Sequence, residues 1–338
     1  MLIWEKPALI IGGLAALILS SLLIAFFIIK RTTNTEESVL LAPLAAEDSA
    51  TEVLEASPSA KLANSFHLLL LGLDKRSPEQ KHFRTDTIMV ISILKDSQKI
   101  LLTSIPRDLW LDGAKINTFF SQGGFAGIGE RVQTVTGLTP SHYVAIDFTG
   151  TVWAVDRIGG VETDIERSFT DYSYPPDRPA APHPPSFTAG PQLLTGEEVL
   201  EYCRSRKGTN GEANDFRRMR RQQNLLVALP QAFEKSDLAK LGTEALYNLL
   251  TGHLETNLGV GEVAELLWLL KDYQDFQVER VVLEIDNYLY HPPMASYGGA
   301  YVLRPSGDSW QIIHDALAAK VEPRQATPSA QTTPFGAF

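Results

Sequence analysis

The chain has 338 residues, an acidic charge balance and a single cysteine. Its formal net charge of −10 argues against a general nucleic-acid-binding protein, because such proteins carry an excess of basic side chains. The only cysteine, Cys203, excludes an intrachain disulfide. The length allows one large domain or two small ones, each with a substantial hydrophobic core.

The first apolar stretch covers residues 8–29 and contains no charged side chain. As a helix rising about 1.5 Å per residue it would span about 30 Å, enough to cross a bilayer. A buried core helix of this length normally shows a polar stripe, and this stretch has none. We therefore predict a transmembrane signal anchor over 8–29 after an N-terminal flank at 1–7. A cleaved signal peptide is the alternative, but Lys6 is the only basic side chain before the apolar run.

The segments around the predicted domain have a different composition. Residues 30–64 are rich in Ala, Ser, Thr and Glu, which predicts a flexible linker. A compact domain is predicted over 65–320, and residues 321–338 have the composition of a disordered tail. Lys30 and Arg31 follow the apolar stretch, and this charge bias taken alone favours a cytoplasmic domain.

Three short apolar segments open the domain, at 66–72, 87–94 and 100–105. Each is rich in Leu, Ile or Val and is bounded by polar residues, which predicts buried strands, with a tight turn at 95–98. Charged residues stand at the strand ends: Asp74, Arg76, Arg84, Asp86, Arg107 and Asp108. A hairpin brings these ends together, and such a mixture of carboxylates and guanidinium groups suits a metal-bound phosphate.

Further along the chain, strand and helix patterns alternate. The predictions are helices over 115–122 and 129–136, a strand over 143–147, a helix over 149–158, a strand from Val161, a proline-rich loop over 170–191, a helix from Thr195 to Cys203, a helix over 216–233, helices over 237–250 and 260–272, a strand over 279–285 and a helix over 309–319. Thr195 and Glu198 form a capping-box pattern, and Asp215 can cap the long helix. This alternation predicts an α/β fold whose central sheet is flanked by helices on both faces.

An arginine-rich stretch lies between residues 204 and 222. Its basic side chains are Arg204, Arg206, Lys207, Arg217, Arg218, Arg220 and Arg221. Arg204 and Arg206 point to the same side of an extended segment, and Arg218, Arg221 and Gln222 share one helix face. A solvated basic surface is the ordinary interpretation of such a run. The predominance of arginine in an acidic protein favours a phosphate site instead, because one guanidinium group can donate two hydrogen bonds at once to phosphate oxygens.

Seven motifs, in this order and spacing, resemble those of the LytR–CpsA–Psr family. They are Leu70-Leu71-Gly72-Leu73-Asp74-Lys75-Arg76, Arg84-Thr85-Asp86-Thr87, Ser104-Ile105-Pro106-Arg107-Asp108, Lys115-Ile116-Asn117, Gly159-Gly160-Val161, Arg204-Ser205-Arg206, and Asp215-Phe216-Arg217-Arg218 with Arg221-Gln222-Gln223. The resemblance is strong over 66–235. It implies a single α/β domain with a central mixed β-sheet, placed after one membrane helix.

The resemblance also implies an activity. Members of the family transfer a glycopolymer, of the teichoic acid or capsular polysaccharide type, from a polyprenyl-pyrophosphate carrier to the 6-hydroxyl of N-acetylmuramic acid in peptidoglycan. The expected localisation is the bacterial cell membrane, single-pass, with an extracytoplasmic domain, against the charge bias of Lys30 and Arg31. The expected partners are the polyprenyl-pyrophosphate-linked glycan, peptidoglycan and the lipid bilayer, with no nucleic acid.

The resemblance assigns roles to nine residues. The expected catalytic residues are Asp74, Arg84, Asp86 and Arg107; Asp74 and Asp86 are also the expected Mg²⁺ ligands. The expected pyrophosphate-binding residues are Arg84, Arg107, Arg204, Arg206, Asp215, Arg218 and Gln222. Asp74 is the candidate general base. A polyprenyl-pyrophosphate phosphohydrolase and a non-catalytic lipid-glycan-binding scaffold are the alternatives that the same residues allow, and a DNA-binding regulator is a weaker one.

Overall fold

The computed structural model describes residues 65–75, 80–175, 183–234, 252–259, 261–262, 265–266 and 275–321. The predicted anchor and linker, the predicted helix at 237–250, most of the predicted helix at 260–272 and nearly all of the predicted tail lie outside these ranges. Within them, no helix combines the length and the apolar character that crossing a membrane requires.

A mixed sheet forms the centre of the described fold. The strands are β1 (Ser65–Asp74), β2 (Arg84–Leu94), β3 (Lys99–Ser104), β4 (Trp110–Leu111), β5 (Ala114–Lys115), β6 (His142–Asp147), β7 (Val161–Ile165), β8 (Phe169–Thr170), β9 (Ser186–Phe187), β10 (Gly190–Leu194), β11 (Leu254–Thr256), β12 (Gln277–Val282), β13 (Leu289–Tyr290) and β14 (Arg304–Pro305). The central sheet has the order β11-β6-β1-β2-β3-β12. The β1–β6 and β3–β12 pairs are parallel, and the other pairs in this sheet are antiparallel.

Helices cover both faces of this sheet. They are α1 (Phe119–Thr136), α2 (Phe148–Arg157), α3 (Gly196–Arg204), α4 (Asp215–Glu234) and α5 (Gln311–Val321). Alternate residues of β1 point to opposite faces, so that Leu69 packs with α1 and α5 while Leu68 packs with the cluster that α4 joins. The α2 and α3 helices pack with α4 in a further apolar cluster. The predicted α/β architecture with a central mixed sheet is therefore confirmed.

The opening hairpins follow the sequence prediction closely. The predicted strands at 66–72, 87–94 and 100–105 are β1, β2 and β3, and a turn occupies 95–98. The capping box is also confirmed, because the backbone N–H of Glu198 donates to Thr195 Oγ1 and the backbone N–H of Thr195 donates to Glu198 Oε2 at 2.8 Å.

Three predictions require correction. The helix expected over 115–122 begins only at Phe119, because Lys115 pairs with Trp110 as a strand and a 3-10 turn follows. The stretch at 170–191 is not loop throughout, since β8 and β9 pair within it and β10 begins there. The cap of α4 is Asn214, not Asp215: Asn214 Oδ1 accepts from the backbone N–H of Arg217 at 2.7 Å.

Gln223 fixes α4 to the sheet. Its side-chain amide is buried and donates to Ser104 Oγ at 2.9 Å and to the backbone oxygen of Val281 at 2.9 Å, and it lies 3.3 Å from the backbone oxygen of Leu102. These partners belong to β3 and to the neighbouring β12. The amide therefore sets the height of α4 above the sheet, and with it the position of every side chain that α4 presents.

Candidate functional site: a cavity with a charged mouth

A cavity of about 800 Å³ lies between the sheet and the helices α2, α3 and α4. All nine residues singled out in the sequence line it: Asp74, Arg84, Asp86, Arg107, Arg204, Arg206, Asp215, Arg218 and Gln222. They come from the β1–β2 hairpin, the segment after β3, the end of α3 and the start of α4. The structure thus brings distant segments together around one space, while the chemical roles of these residues stay predictions.

Asp86 reaches the cavity through a bulge in β2. The β1–β2 register pairs Gly72 with Thr87 but Leu73 with Thr85, so Asp86 is the extra residue. A bulge re-aims the side chain that it carries. The backbone of β1 comes very close here, because a Cβ on Gly72 would lie 2.8 Å from Thr87 Oγ1. A glycine at position 72 therefore allows the hairpin to close at the bulge.

A compact ionic cluster forms around Asp86. Arg107 Nη1 donates to Asp86 Oδ1 at 2.6 Å, and Arg218 Nη2 donates to the backbone oxygen of Asp86 at 2.8 Å. The same Arg218 nitrogen lies 3.0 Å from Asp215 Oδ1 and 3.1 Å from Oδ2. Arg218 is only 3% exposed. Because a buried guanidinium needs compensating charge, Asp215 and Asp86 hold Arg218 in place at the mouth of the cavity.

Burial and charge act in opposite directions on the pKa values of this cluster. Burial lowers the pKa of Arg107, but the neighbouring carboxylates, Asp86 foremost, outweigh it and the net pKa is raised. For Arg218 burial prevails over its acidic partners and the pKa is lowered. Burial also raises the pKa of Asp215, against the opposing effects of Arg218 and Arg107. A bound anion adjacent to these arginines would stabilise their charged forms.

The second wall of the mouth is the segment around Arg204 and Arg206. The guanidinium carbon of Arg204 lies 4.2 Å from the ring centroid of Phe148, and Arg204 Nη1 donates to Tyr174 Oη at 3.2 Å. The stacking fixes the plane of this guanidinium group. Arg206 is exposed and lines the cavity from the solvent side.

Asp171, a residue that no sequence motif indicated, shapes this wall. Asp171 is 2% exposed. Its Oδ2 accepts from Ser205 Oγ at 2.6 Å and from the backbone N–H groups of Arg206 and Lys207 at 3.1 and 3.0 Å. Its Oδ1 accepts from the backbone N–H of Ser173 at 3.0 Å. Asp171 lies in the stretch that was predicted to be a loop, and an aspartate in a loop gives no sequence signal of such a role.

Arg221 does not share the orientation expected from its helix position. It does not line the cavity, and it donates to Glu212 Oε2 at 2.5 Å and to the backbone oxygens of Tyr202 and Ser205. Arg221 and Glu212 are both buried. The Arg221 side chain therefore joins α4 to the loop before it and to the end of α3, while Arg218 alone of this arginine pair lines the cavity.

Behind the charged mouth the cavity is apolar. Its deeper lining consists of aliphatic side chains from the sheet and the three helices: Leu70, Met89, Ile146, Ala154, Val155, Ile158, Leu200, Leu225, Leu226 and Leu229. We call this part the apolar chamber. Leu225, Leu226 and Leu229 lie on α4, the helix that also carries Arg218. One rigid helix therefore lines both the charged and the apolar parts of the cavity.

Two carboxylates of the mouth, Asp74 and Asp86, are of the ligand type that Mg²⁺ takes. Asp74 and Asp86 come from the facing ends of β1 and β2, and both line the cavity. Asp86 Oδ1 accepts from Arg107, while its Oδ2 lies 4.0 Å from Arg218 Nη1. Among the described residues, no group of three or more His, Cys, Asp or Glu side chains is arranged to hold a metal. Two carboxylates supplemented by water and phosphate oxygens are a usual environment for Mg²⁺.

The cavity of this α/β domain therefore combines an arginine-rich mouth with an apolar chamber. Residues 30–317 match the LytR_cpsA_psr family, and the chain belongs to this family.

Two characterised relatives are similar along most of the chain. The polyisoprenyl-teichoic acid–peptidoglycan teichoic acid transferase TagV of Bacillus subtilis is 26% identical over 253 residues, covering 70% of this chain and 62% of that protein. TagU of Oceanobacillus iheyensis, which carries the same transferase name, is 24% identical over 258 residues, covering 73% of this chain and 75% of that protein. The chain thus spans about three-fifths of TagV. The crystal structure of Bacillus subtilis TagV has the same fold, with a TM-score of 0.55, 23% identity, and coverage of 76% of this chain and 97% of that chain.

Proposed function

We propose that the protein transfers a glycopolymer from a polyprenyl-pyrophosphate carrier to peptidoglycan. The observation that carries the proposal is the continuity of the cavity, in which an arginine-rich mouth leads directly into the apolar chamber. A polyprenyl pyrophosphate has the matching order of chemistry, with a dianionic group joined to a long hydrocarbon chain. The names of TagV and TagU describe the same class of reaction and support the assignment.

The residues suit a phosphoryl transfer. The acceptor hydroxyl attacks the phosphorus that is bonded to the glycan, a new P–O bond forms, and the P–O bond to polyprenyl phosphate breaks. Negative charge moves to the leaving phosphate, where Arg107, Arg218 and the Arg204–Arg206 wall stabilise it. The hydroxyl proton passes to a carboxylate at the mouth; the candidate is Asp74, through the oxygen that would not contact the ion.

Asp74 and Asp86 would hold Mg²⁺ in this site. When bound, the ion neutralises charge on the phosphate oxygens. The hydrogen bond from Arg107 fixes the orientation of the Asp86 carboxylate before any ligand arrives. Dialysis against a chelator should abolish transfer, and readdition of Mg²⁺ should restore it; undiminished transfer after chelation would contradict the assignment.

The anchor and the extracytoplasmic localisation belong to the same proposal. Their support is the uncharged stretch at 8–29 and the carrier itself, whose hydrocarbon chain resides in a bilayer. A reporter fused after Phe338 tests the topology of the chain. An extracytoplasmic reporter is expected, and a cytoplasmic one would refute a role in wall assembly.

The decisive experiment combines the purified protein, Mg²⁺, a polyprenyl-pyrophosphate-linked glycan and peptidoglycan oligomers. A covalent glycan–peptidoglycan product is expected from the wild type. Arg107→Ala should lower the rate roughly 100- to 1000-fold, because it removes a charge-stabilising donor. Arg131→Ala is the matched control, since Arg131 lies on α1, pairs with Asp112 at 3.0 Å and does not line the cavity.

The products also separate the alternatives. Free phosphoglycan formed at the same rate with and without peptidoglycan would identify a phosphohydrolase. Binding of the lipid-linked glycan without turnover in the presence of Mg²⁺ would identify a scaffold. Either result would replace the transferase proposal.

A further inference from the structure

One rim of the cavity mouth carries a group of aromatic side chains that the proposed reaction does not yet use. They belong to residues 289–305, which we call the aromatic segment, and to Trp110. The segment is fixed against the site by two backbone hydrogen bonds: Leu303 N–H donates to Asp108 O at 2.9 Å, and Trp110 N–H donates to Leu303 O at 3.0 Å. Tyr301 is two residues before Leu303 and lines the cavity.

Two pairs of rings pack together in this region, in which Tyr301 is exposed and His291, Trp110 and Tyr297 are half-buried. The Tyr301 ring meets the His291 ring edge to face, with centroids 4.3 Å apart, and is 40% exposed. Trp110 and Tyr297 form a second edge-to-face pair at 5.4 Å. Of the six large apolar or aromatic side chains that are exposed in the described ranges, three lie in the aromatic segment. Of these three, Tyr290, Met294 and Tyr301, only Tyr301 lines the cavity.

The charges around Tyr301 differ from those on the Arg204 side of the mouth. Burial, followed by the charges of Asp108 and Asp215, raises the pKa of Tyr301, as expected for a phenol close to carboxylates. Both carboxylates are ion-paired, Asp108 with Lys115 at 2.5 Å and Asp215 with Arg218 at 3.0 Å. This rim is therefore closer to neutral than the wall formed by Arg204 and Arg206, and it suits the neutral hydroxyl substrate, while the arginine wall suits the charged one.

We propose that Tyr301, supported by His291, and the Trp110–Tyr297 pair bind the acceptor glycan, a peptidoglycan-type polysaccharide strand. The C–H bonds on one face of a sugar ring carry partial positive charge and pack on the negative face of an aromatic ring. A sugar on Tyr301 presents its hydroxyl groups towards Asp108 and Asp215, at the mouth where the phosphate lies. This inference rests on the proposed function for the location of the reacting phosphate.

Direct binding tests the surface without requiring turnover. Soluble peptidoglycan glycan strands are titrated into the full-length protein by calorimetry, with no lipid-linked donor present. Tyr301→Ala should weaken binding roughly three- to tenfold, and Tyr301→Phe, which keeps the ring, should stay within about twofold. Tyr290→Ala is the matched control: Tyr290 lies in the same segment, but its hydroxyl donates to Asp308 and it does not line the cavity.

Several results would overturn the inference. The first is an absence of strand binding by the wild type, and the second is equal strand binding by the wild type and Tyr301→Ala. The third is that Tyr301→Ala loses as much affinity for the polyprenyl-pyrophosphate-linked glycan as for the strand, which would assign the surface to the donor. If the alanine variant unfolds, saturation-transfer NMR from the aromatic protons of the wild-type protein to the strand tests the contact between the strand and the aromatic rings. Strand binding without any transfer would refute the proposed function and leave the acceptor surface intact.

Discussion

Asp171 should control the affinity of the site through the segment that it holds, since it is 2% exposed where it lines the cavity. Its carboxylate accepts four hydrogen bonds, two of them from the backbone N–H groups of Arg206 and Lys207. Asp171→Ala removes all four acceptor contacts and frees the segment that carries the arginine wall. We therefore expect weaker binding of polyprenyl pyrophosphate.

The magnitude follows from these contacts. Hydrogen bonds to a charged group contribute about 1.5–3 kcal/mol each. Arg206 and Lys207 are exposed, so water replaces part of the loss at their N–H groups. We expect the free energy that holds the segment in its binding conformation to fall by about 2–3 kcal/mol. Because the ligand must then order the segment, this loss corresponds to a roughly 30- to 150-fold rise in Kd.

The assay is a titration of polyprenyl pyrophosphate with Mg²⁺ present, accompanied by thermal unfolding of each variant. Asp164→Ala is the matched control, because Asp164 is exposed on β7 and does not line the cavity. Asp171→Asn keeps the size of the side chain and should give an intermediate Kd. A folded Asp171→Ala protein whose Kd stays within threefold of the wild type would refute the reasoning, even with a lowered Tm.

Three further predictions concern the mouth and the chamber. Arg218→Lys should weaken binding of inorganic pyrophosphate at least tenfold, as measured by calorimetry, because lysine lacks the planar guanidinium group, which Asp86 and Asp215 hold through one nitrogen, Nη2, and which carries further N–H donors. Unchanged affinity would contradict this role. Ala154→Phe should fill the apolar chamber and lower the affinity for a long polyprenyl pyrophosphate at least tenfold, while the affinity for inorganic pyrophosphate stays unchanged. Equal losses of affinity for both ligands would contradict the chamber assignment. Burial raises the pKa of Cys203 to about 12, so the thiol stays protonated at pH 8. Its alkylation by iodoacetamide should therefore be on the order of a thousandfold slower in the folded protein than in the protein unfolded by urea. Similar rates in the two states would show that the pKa is not raised.

The three opening strands and most of the described helices could be predicted because their patterns are local. The apolar runs of β1, β2 and β3 are short and bounded by polar residues, and the Thr195 capping box is a four-residue signal. The cap of α4 could not be decided in this way, because Asn214 and Asp215 are both good capping residues. Tertiary contacts decide it, since the Asp215 carboxylate is engaged by Arg218 and Asn214 is left to cap the helix.

The residues of the site were predictable from motifs, but their arrangement was not. The pattern of β2 does not show that Asp86 is the extra residue of a bulge, because the bulge depends on the register with β1. Nothing near Asp171 in sequence indicates that it binds a segment more than 30 residues away. Arg218 and Arg221 look equivalent on a helix face, and only their tertiary partners separate them, with Glu212 beside Arg221 and Asp215 beside Arg218.

The α4 helix has a consequence for how the protein can vary. Arg218 and Leu229 are separated by three turns of one helix, roughly 16 Å, so α4 fixes the distance between the charged mouth and the apolar chamber. Inserting one residue between them would rotate everything beyond the insertion by about 100° and turn the leucines away from the apolar chamber. We therefore expect homologues to change the identity of these side chains freely but to conserve the number of residues that separates them.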